Sequence, residues 1–204
     1  CVDISERIIN EVADYHFSQS GDLKEFLLTD QFLVNTYKAR NTNLGYALHE
    51  INRQVSGGQH SNELLNTELF YSIAESIVAD QAIIYEQYSR LQFKKTETRQ
   101  SLFRQLLEAR EYMDAHLSDD IHLDQIIRNA FMSKYHFIRL FKATFILSPY
   151  QYILRKRLES ARVQLLGGSN VTETAFDAGY PDSSSFSKAF KAAFGVTPSS
   201  VKLK

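Results

Sequence analysis

The chain has 204 residues, 44% of them apolar and 23% charged, with a formal net charge of −1, which is ordinary for a soluble globular protein. No apolar run approaches the ~18 residues of a membrane span and no signal-peptide architecture opens the chain, so the expected location is cytoplasmic, with no membrane partner. Cys1 is the single cysteine, which excludes an internal disulfide and fits a reducing cytosol. A start at Cys1 rather than Met reads as a fragment of a longer protein.

The near-neutral total hides an asymmetry. Residues 1–100 hold 9 Lys+Arg against 14 Asp+Glu, a net of −5, and residues 101–204 hold 14 against 10, a net of +4. From Ile121 to the end the count is 12 against 5, or +7. A basic terminal module joined to an acidic one points to a polyanionic partner for the basic part.

In the first half, Cys1 to Ile4 is too short to assign beyond a possible strand end. From Ser5 the pattern is helical, with Ile8, Ile9, Val12 and Phe17 on one face. A second helix starts at Asp22 and carries Leu23, Phe26, Leu27, Phe32 and Leu33. A third, from about Asn43 to Val55, aligns Leu44, Leu48, Ile51 and Val55. Ser56-Gly57-Gly58-Gln59-His60 reads as a loop. A long helix follows from about Asn62 to Leu91, with Leu65, Leu69, Ile73, Ile77, Ile83 and Ile84 apolar. Another runs from about Thr98 to His116 with Leu102, Leu106, Leu107 and Met113. The tyrosines Tyr71, Tyr85 and Tyr88 look exposed and would suit a homodimer interface, against the alternative that a monomeric bundle buries them. No phosphate loop, paired-carboxylate pocket or metal-ligand spacing is present, so no catalytic residue, metal or cofactor is expected.

In the second half, Ser118-Asp119-Asp120 breaks the pattern. Ile121, Leu123, Ile126, Ile127 and Ala130 then mark a short helix, with His122 at its N-cap and Gln125 three residues on. Ala130-Phe131-Met132 reads as a turn. Ser133 caps a helix whose apolar face is Phe137, Leu140, Phe141 and Phe145, and whose outer face is Lys134, Tyr135, Ile138, Arg139 and Lys142. Helix, turn, basic helix is the helix-turn-helix plan. A well-patterned helix spans Tyr150 to Leu166 and ends at Gly167-Gly168. Asn170 with Glu173 starts another short helix, with Val171, Ala175 and Phe176 as its core face. Gly179 in the following turn is free to take positive φ. Asp182 to Phe194 is again a short helix, with Phe186, Ala189, Phe190 and Phe194 apolar against Ser183, Ser184, Ser187, Lys188 and Lys191.

These two parts align at a constant offset of 49 residues: FIRLFKATFILSP on FSKAFKAAFGVTP, Phe137 on Phe186, Arg139 on Lys188, Phe145 on Phe194, Pro149 on Pro198. Two basic helices joined by one stiff helix can enter successive major grooves of a duplex about 34 Å apart.

The segments SKYHFIRLFK, SPYQYILRKRLESARVQLL and VTETAFDAGYPDSSSFSKAFKAAFGVTP resemble the DNA-binding module of the AraC/XylS family of bacterial transcription regulators. The apolar spacing gives an all-α fold with a helical region over 1–105, serving as a dimerisation, linker or remnant sensor segment. The resemblance implies, as in many members, an N-terminal cupin-like sensor, for which the chain has neither room nor pattern, so that it is either missing or was never part of this member. The resemblance further implies a DNA-binding domain over 106–204. In that domain the first helix-turn-helix covers about 121–145, the linker helix about 150–166, and the second helix-turn-helix about 170–195. It also implies transcriptional control, as in an activator, with double-stranded DNA as partner, RNA polymerase as a candidate partner, an unidentified effector and no enzymatic activity. Matched by position, Tyr135, Ile138 and Arg139 face bases, while Lys134 and Lys142 suit phosphates. Ser183, Ser184, Ser187 and Lys188 form the second groove-facing set, with Lys191 beside them. Arg139 can bond guanine O6 and N7, and Tyr135 and Ile138 can touch thymine methyls. Arg157 is expected to form a structural salt bridge. Three residues depart from the family pattern. Ile146 stands where glycine is frequent, and since a β-branched residue resists positive φ, the corner there is expected to be built differently. Ile127 replaces a small alanine and is expected to enlarge the first core, and Thr174 replaces an apolar residue.

Two competing readings remain at this point. A DNA-repair alkyl-acceptor enzyme carrying the same module would need a cysteine nucleophile, and only Cys1 exists. The chain would otherwise be the output module of a larger two-component or membrane-linked sensor whose input domain is missing from this chain.

Overall fold

A computed structural model of the chain describes residues 5–17, 21–28, 42–56, 67–119, 121–129 and 132–201. Every longer regular element among them is an α-helix: α1 (Glu6–Phe17), α2 (Gly21–Leu28), α3 (Asn43–Ser56), α4 (Thr67–Ser89), α5 (Thr96–Ala115), α6 (Leu123–Ile126), α7 (Lys134–Phe145), α8 (Pro149–Leu166), α9 (Val171–Asp177) and α10 (Ser183–Phe194). Short 3-10 turns follow α6 (Ile127–Asn129) and α10 (Pro198–Ser200). The all-α expectation holds. No helix among the described residues is long and apolar enough to cross a membrane. Expectations for Cys1–Ile4, Phe32, Leu33, the Gly57–His60 loop, Leu65, Ala130 and Phe131 lie outside the described residues, as do the side chains of Phe17 and Val55.

Contacts divide the chain into two compact units, Cys1–Arg90 and Leu91–Lys204. α5 therefore belongs in its entirety to the second.

In the first unit α1, α2 and α3 all pack on α4. The buried stripe of α4 is Ile73, Ala74, Val78, Gln81, Ile84 and Tyr88, a 3-4 spacing that puts one side of the helix against its three neighbours. Asp80 on α4 caps α3 from a distance, its carboxylate accepting from the amides of Asn43 at 2.9 Å and Leu44 at 3.0 Å. A carboxylate there satisfies orphan amides and opposes the helix dipole. The exposed look of Tyr88 is corrected. Tyr88 is fully buried, and Phe26 packs against both Tyr85 (5.4 Å between ring centroids) and Tyr88 (5.6 Å). Tyr71 bonds Glu11 of α1. These tyrosines contact neighbouring helices of their own unit, because α1, α2 and α3 all pack on α4. Ile83 and Leu48, read as core, are exposed.

The second unit is a duplicated three-helix module, α5-α6-α7 followed by α8-α9-α10. The scaffold helices bury matching residues 52 positions apart: Leu106, Ala109 and Met113 on α5 against Leu158, Ala161 and Leu165 on α8. The last helices carry matching aromatic stacks. Phe137–Phe141 and Phe141–Phe145 lie 5.6 and 4.6 Å apart, and Phe186–Phe190 and Phe190–Phe194 lie 5.5 and 4.7 Å apart. The repeat seen in sequence is thus a repeat of packing. The second core closes around Leu158, Ala161, Leu165, Ala175, Ala178, Phe186 and Phe190.

Some residues depart from expectation. α6 is only four residues long before the chain tightens into a 3-10 turn at Ile127, and Ile126 is buried where Ile127 is only half-buried. Ile127 therefore does not enlarge the first core. Phe176, read as core, is 58% exposed. Thr174 is fully buried and its Oγ1 has no hydrogen-bond partner, so this departure from an apolar residue carries a desolvation cost.

Candidate nucleic-acid interface

The interface is built on α7 and α10. Ser133 caps α7 as expected, accepting from the His136 amide at 3.3 Å. Asp182 caps α10, accepting from the amide of Ser185 at 2.7 Å and its hydroxyl at 2.9 Å. Those two bonds hold the Asp182 carboxyl below the usual carboxylate range. Each helix turns its phenylalanines inward, which leaves the opposite face to solvent.

On α7 that outer face carries Lys134, Tyr135, Arg139 and Lys142, with Ile138 half-buried beside them. Tyr135 is 78% exposed, a large apolar surface with no packing duty. On α10 the outer face carries Ser184, Lys188 and Lys191, with Ser183 and Ser187 half-buried. Arg139, Lys142 and Lys191 make no ion pair with described residues. Each helix therefore assembles its own five candidate residues on one face, and three of the cations are unencumbered.

Two candidates have partners that their sequence neighbours do not reveal. The Lys134 ammonium lies 3.1 Å from Asp124 Oδ1 on α6. The Ser183 hydroxyl donates to the Thr172 hydroxyl on α9 at 3.3 Å. Lys134 and Ser183 are each the first residue of their helix, and Asp124 and Thr172 each the second residue of the preceding one. This position ties the two helices of the motif together in both copies, by charge in one and by hydroxyls in the other.

The corner after α7 also differs from expectation. Ile146 takes φ 69°, nearly the φ 74° of Gly195 at the matching place after α10. The corner is built with the same hand despite the β-branch. The tertiary path from α7 into α8 imposes the turn, and the 63% exposed Ile146 side chain meets little that would oppose it.

Several cations outside the two outer faces contact the scaffold. Arg157 bonds main-chain oxygens, its Nε donating to Leu117 O at 2.8 Å and its Nη2 to Asp119 O at 2.7 Å. The expected salt bridge is replaced by a clamp on the segment between α5 and α6. Its other edge abuts the turn of the second motif: a Cβ on Gly179 would come within 2.7 Å of Arg157 Nη1, and Gly179 takes the expected positive φ of 80°. Arg110 of α5 sits over the Phe145 ring at 5.2 Å, and Arg155 and Arg162 of α8 sit over Phe194 at 4.9 and 5.2 Å. Tyr152 of α8 donates to Asp114 of α5 at 2.9 Å, and burial, with that carboxylate opposite, pushes the phenol well above its ordinary range. None of these roles was visible in sequence, because each joins residues 22 to 40 positions apart.

A family profile described as a helix-turn-helix domain matches residues 126–203. The probable transcriptional regulator LumQ of Photobacterium leiognathi is 35% identical over 89 residues, 43% of this chain and 36% of LumQ. The regulatory protein SoxS of Salmonella typhimurium is 29% identical over 90 residues, 44% of this chain and 84% of SoxS. A crystal structure of a transcriptional regulator from Chromobacterium violaceum, of the AraC-type DNA-binding domain-containing proteins, is 26% identical and covers 48% of this chain and 88% of that one, with a TM-score of 0.46. Residues 126–203 thus match a helix-turn-helix domain, and the relatives LumQ and SoxS are named as regulators. The chain spans about a third of the length of LumQ, 36%.

Proposed function

We propose that this chain is a sequence-specific DNA-binding transcription regulator that places α7 and α10 in successive major grooves. The observation that carries this reading is the pair of matching aromatic stacks, each holding an outward cation on the same turn, Arg139 on α7 and Lys188 on α10. In this reading Arg139, Tyr135 and Ile138 read bases from the first helix and Ser184, Ser187 and Lys188 from the second, while Lys142 and Lys191 meet phosphates. Ser183 serves as a brace before it serves as a reader. Transcription activation, contact with RNA polymerase, self-association through the first unit, response to an effector and a cytoplasmic location belong to the same proposal, and no catalytic activity is assigned to the chain.

Selection of genomic DNA fragments by the purified protein at one fixed salt concentration tests it. A bipartite or direct-repeat motif with half-sites about one helical turn apart is expected. Absence of enrichment would sink the reading. Arg139→Ala should cost ~1–3 kcal/mol of binding free energy and relax one base position. Equal weakening on every sequence would move Arg139 to a phosphate instead.

A further inference from the structure

The Lys134 charge is matched by a carboxylate within the same motif, Asp124 on α6 at 3.1 Å. The pair is exposed, with 55% of the Lys134 side chain and 76% of the Asp124 side chain open to solvent, so it adds little to stability. Its consequence is for charge. A cation on the first residue of α7 faces the positive end of that helix, and Asp124 compensates it. The same position in the second motif holds neutral hydroxyls, Ser183 and Thr172. The first helix of such a motif crosses the DNA backbone, which places this pair beside phosphates when α7 lies in the groove.

We propose that Asp124 is a specificity-determining residue: it holds the Lys134 ammonium away from phosphate. The first motif then depends for affinity on base contacts of Tyr135, Ile138 and Arg139 more than on backbone charge. A phosphate that takes Lys134 must first break the ion pair and then faces an abandoned carboxylate. Discrimination gains because sequence-independent attraction is reduced while the base readers are untouched. This inference rests on the reading of α7 as a DNA-reading helix.

The test uses the full chain, a 40-base-pair duplex of random sequence and the duplex enriched by selection, each titrated across a salt series. The variants are Asp124→Asn, Lys134→Gln, the double variant, and Lys142→Gln as the reference for a free phosphate cation. Asp124→Asn should tighten binding to the random duplex threefold or more, steepen the salt slope by about one, and narrow the ratio between selected and random duplex. Lys134→Gln alone leaves the Asp124 carboxylate bare beside the backbone and should weaken random-duplex binding, and the double variant should return to the affinity of the unaltered chain. Two results would overturn the proposal: no tightening in Asp124→Asn, or a gain that survives in the double variant. Failure of the unaltered chain to prefer the selected duplex would remove the DNA-reading role itself, a result distinct from a chain that discriminates but ignores Asp124.

Discussion

At Ile146 two local preferences conflict. The corner needs φ near 70°, and the residue there is β-branched. Gly195 meets the same demand in the second copy without penalty, while a non-glycine residue in this region costs on the order of 1–3 kcal/mol. Ile146→Gly should therefore stabilise the protein by about 1 kcal/mol, the relief of strain exceeding the added freedom of the unfolded chain. Urea denaturation followed by helical circular dichroism measures this as a higher midpoint at unchanged slope. An equal or lower midpoint would show that the surroundings already absorb the strain. Sequence marked Ile146 as the departure, yet read its outcome in the wrong direction. Propensity concerns the isolated residue, and here the path of two packed helices overrode it.

Between elements, Arg157 is the residue on which both motifs converge. Its guanidinium spans two main-chain oxygens before the first motif and lies against Gly179 in the turn of the second. Arg157→Ala leaves two carbonyls without their charged donor and should cost ~1–3 kcal/mol of stability. Arg157→Lys should recover only part of that, since one ammonium lacks the planar fork that reaches both oxygens. Thermal melts of the two variants check the order, and full recovery by lysine would refute the fork. The basic count after Ile121 was legible from composition, but its partition was not. Arg155, Arg157 and Arg162 contribute to that count and yet are spent on carbonyls and phenylalanine rings.

For the whole molecule, the division at Arg90 and Leu91 leaves α5 with the helix-turn-helix unit. α5 buries Phe103, Leu106, Leu107, Ala109 and Met113, as α8 buries its own stripe for the second motif. A fragment beginning at Leu91 should fold cooperatively and keep the salt-dependent DNA binding of the full chain within about threefold. A fragment beginning at Ser118 lacks α5 and should show an unstructured first motif. Heteronuclear spectra and duplex titrations of both fragments check this, and equal folding of the shorter one would contradict the duplicated module.

The fold class, the two helix-turn-helix units, the caps at Ser133 and His122 and the outward residues of α7 were all legible in the chain. They depend on short-range rules, the 3-4 spacing of apolar residues and capping side chains, and on a repeat that keeps its register. The scaffold duplication is hidden from the 49-residue register because α5 and α8 match at a spacing of 52 residues, through a short stripe of Leu, Ala and Met or Leu. Burial of Tyr88, exposure of Phe176, the Lys134–Asp124 pair and the Arg157 clamp were decided only by tertiary structure. Each depends on which surface of one helix meets another, and amphipathic spacing identifies a buried face without saying what covers it.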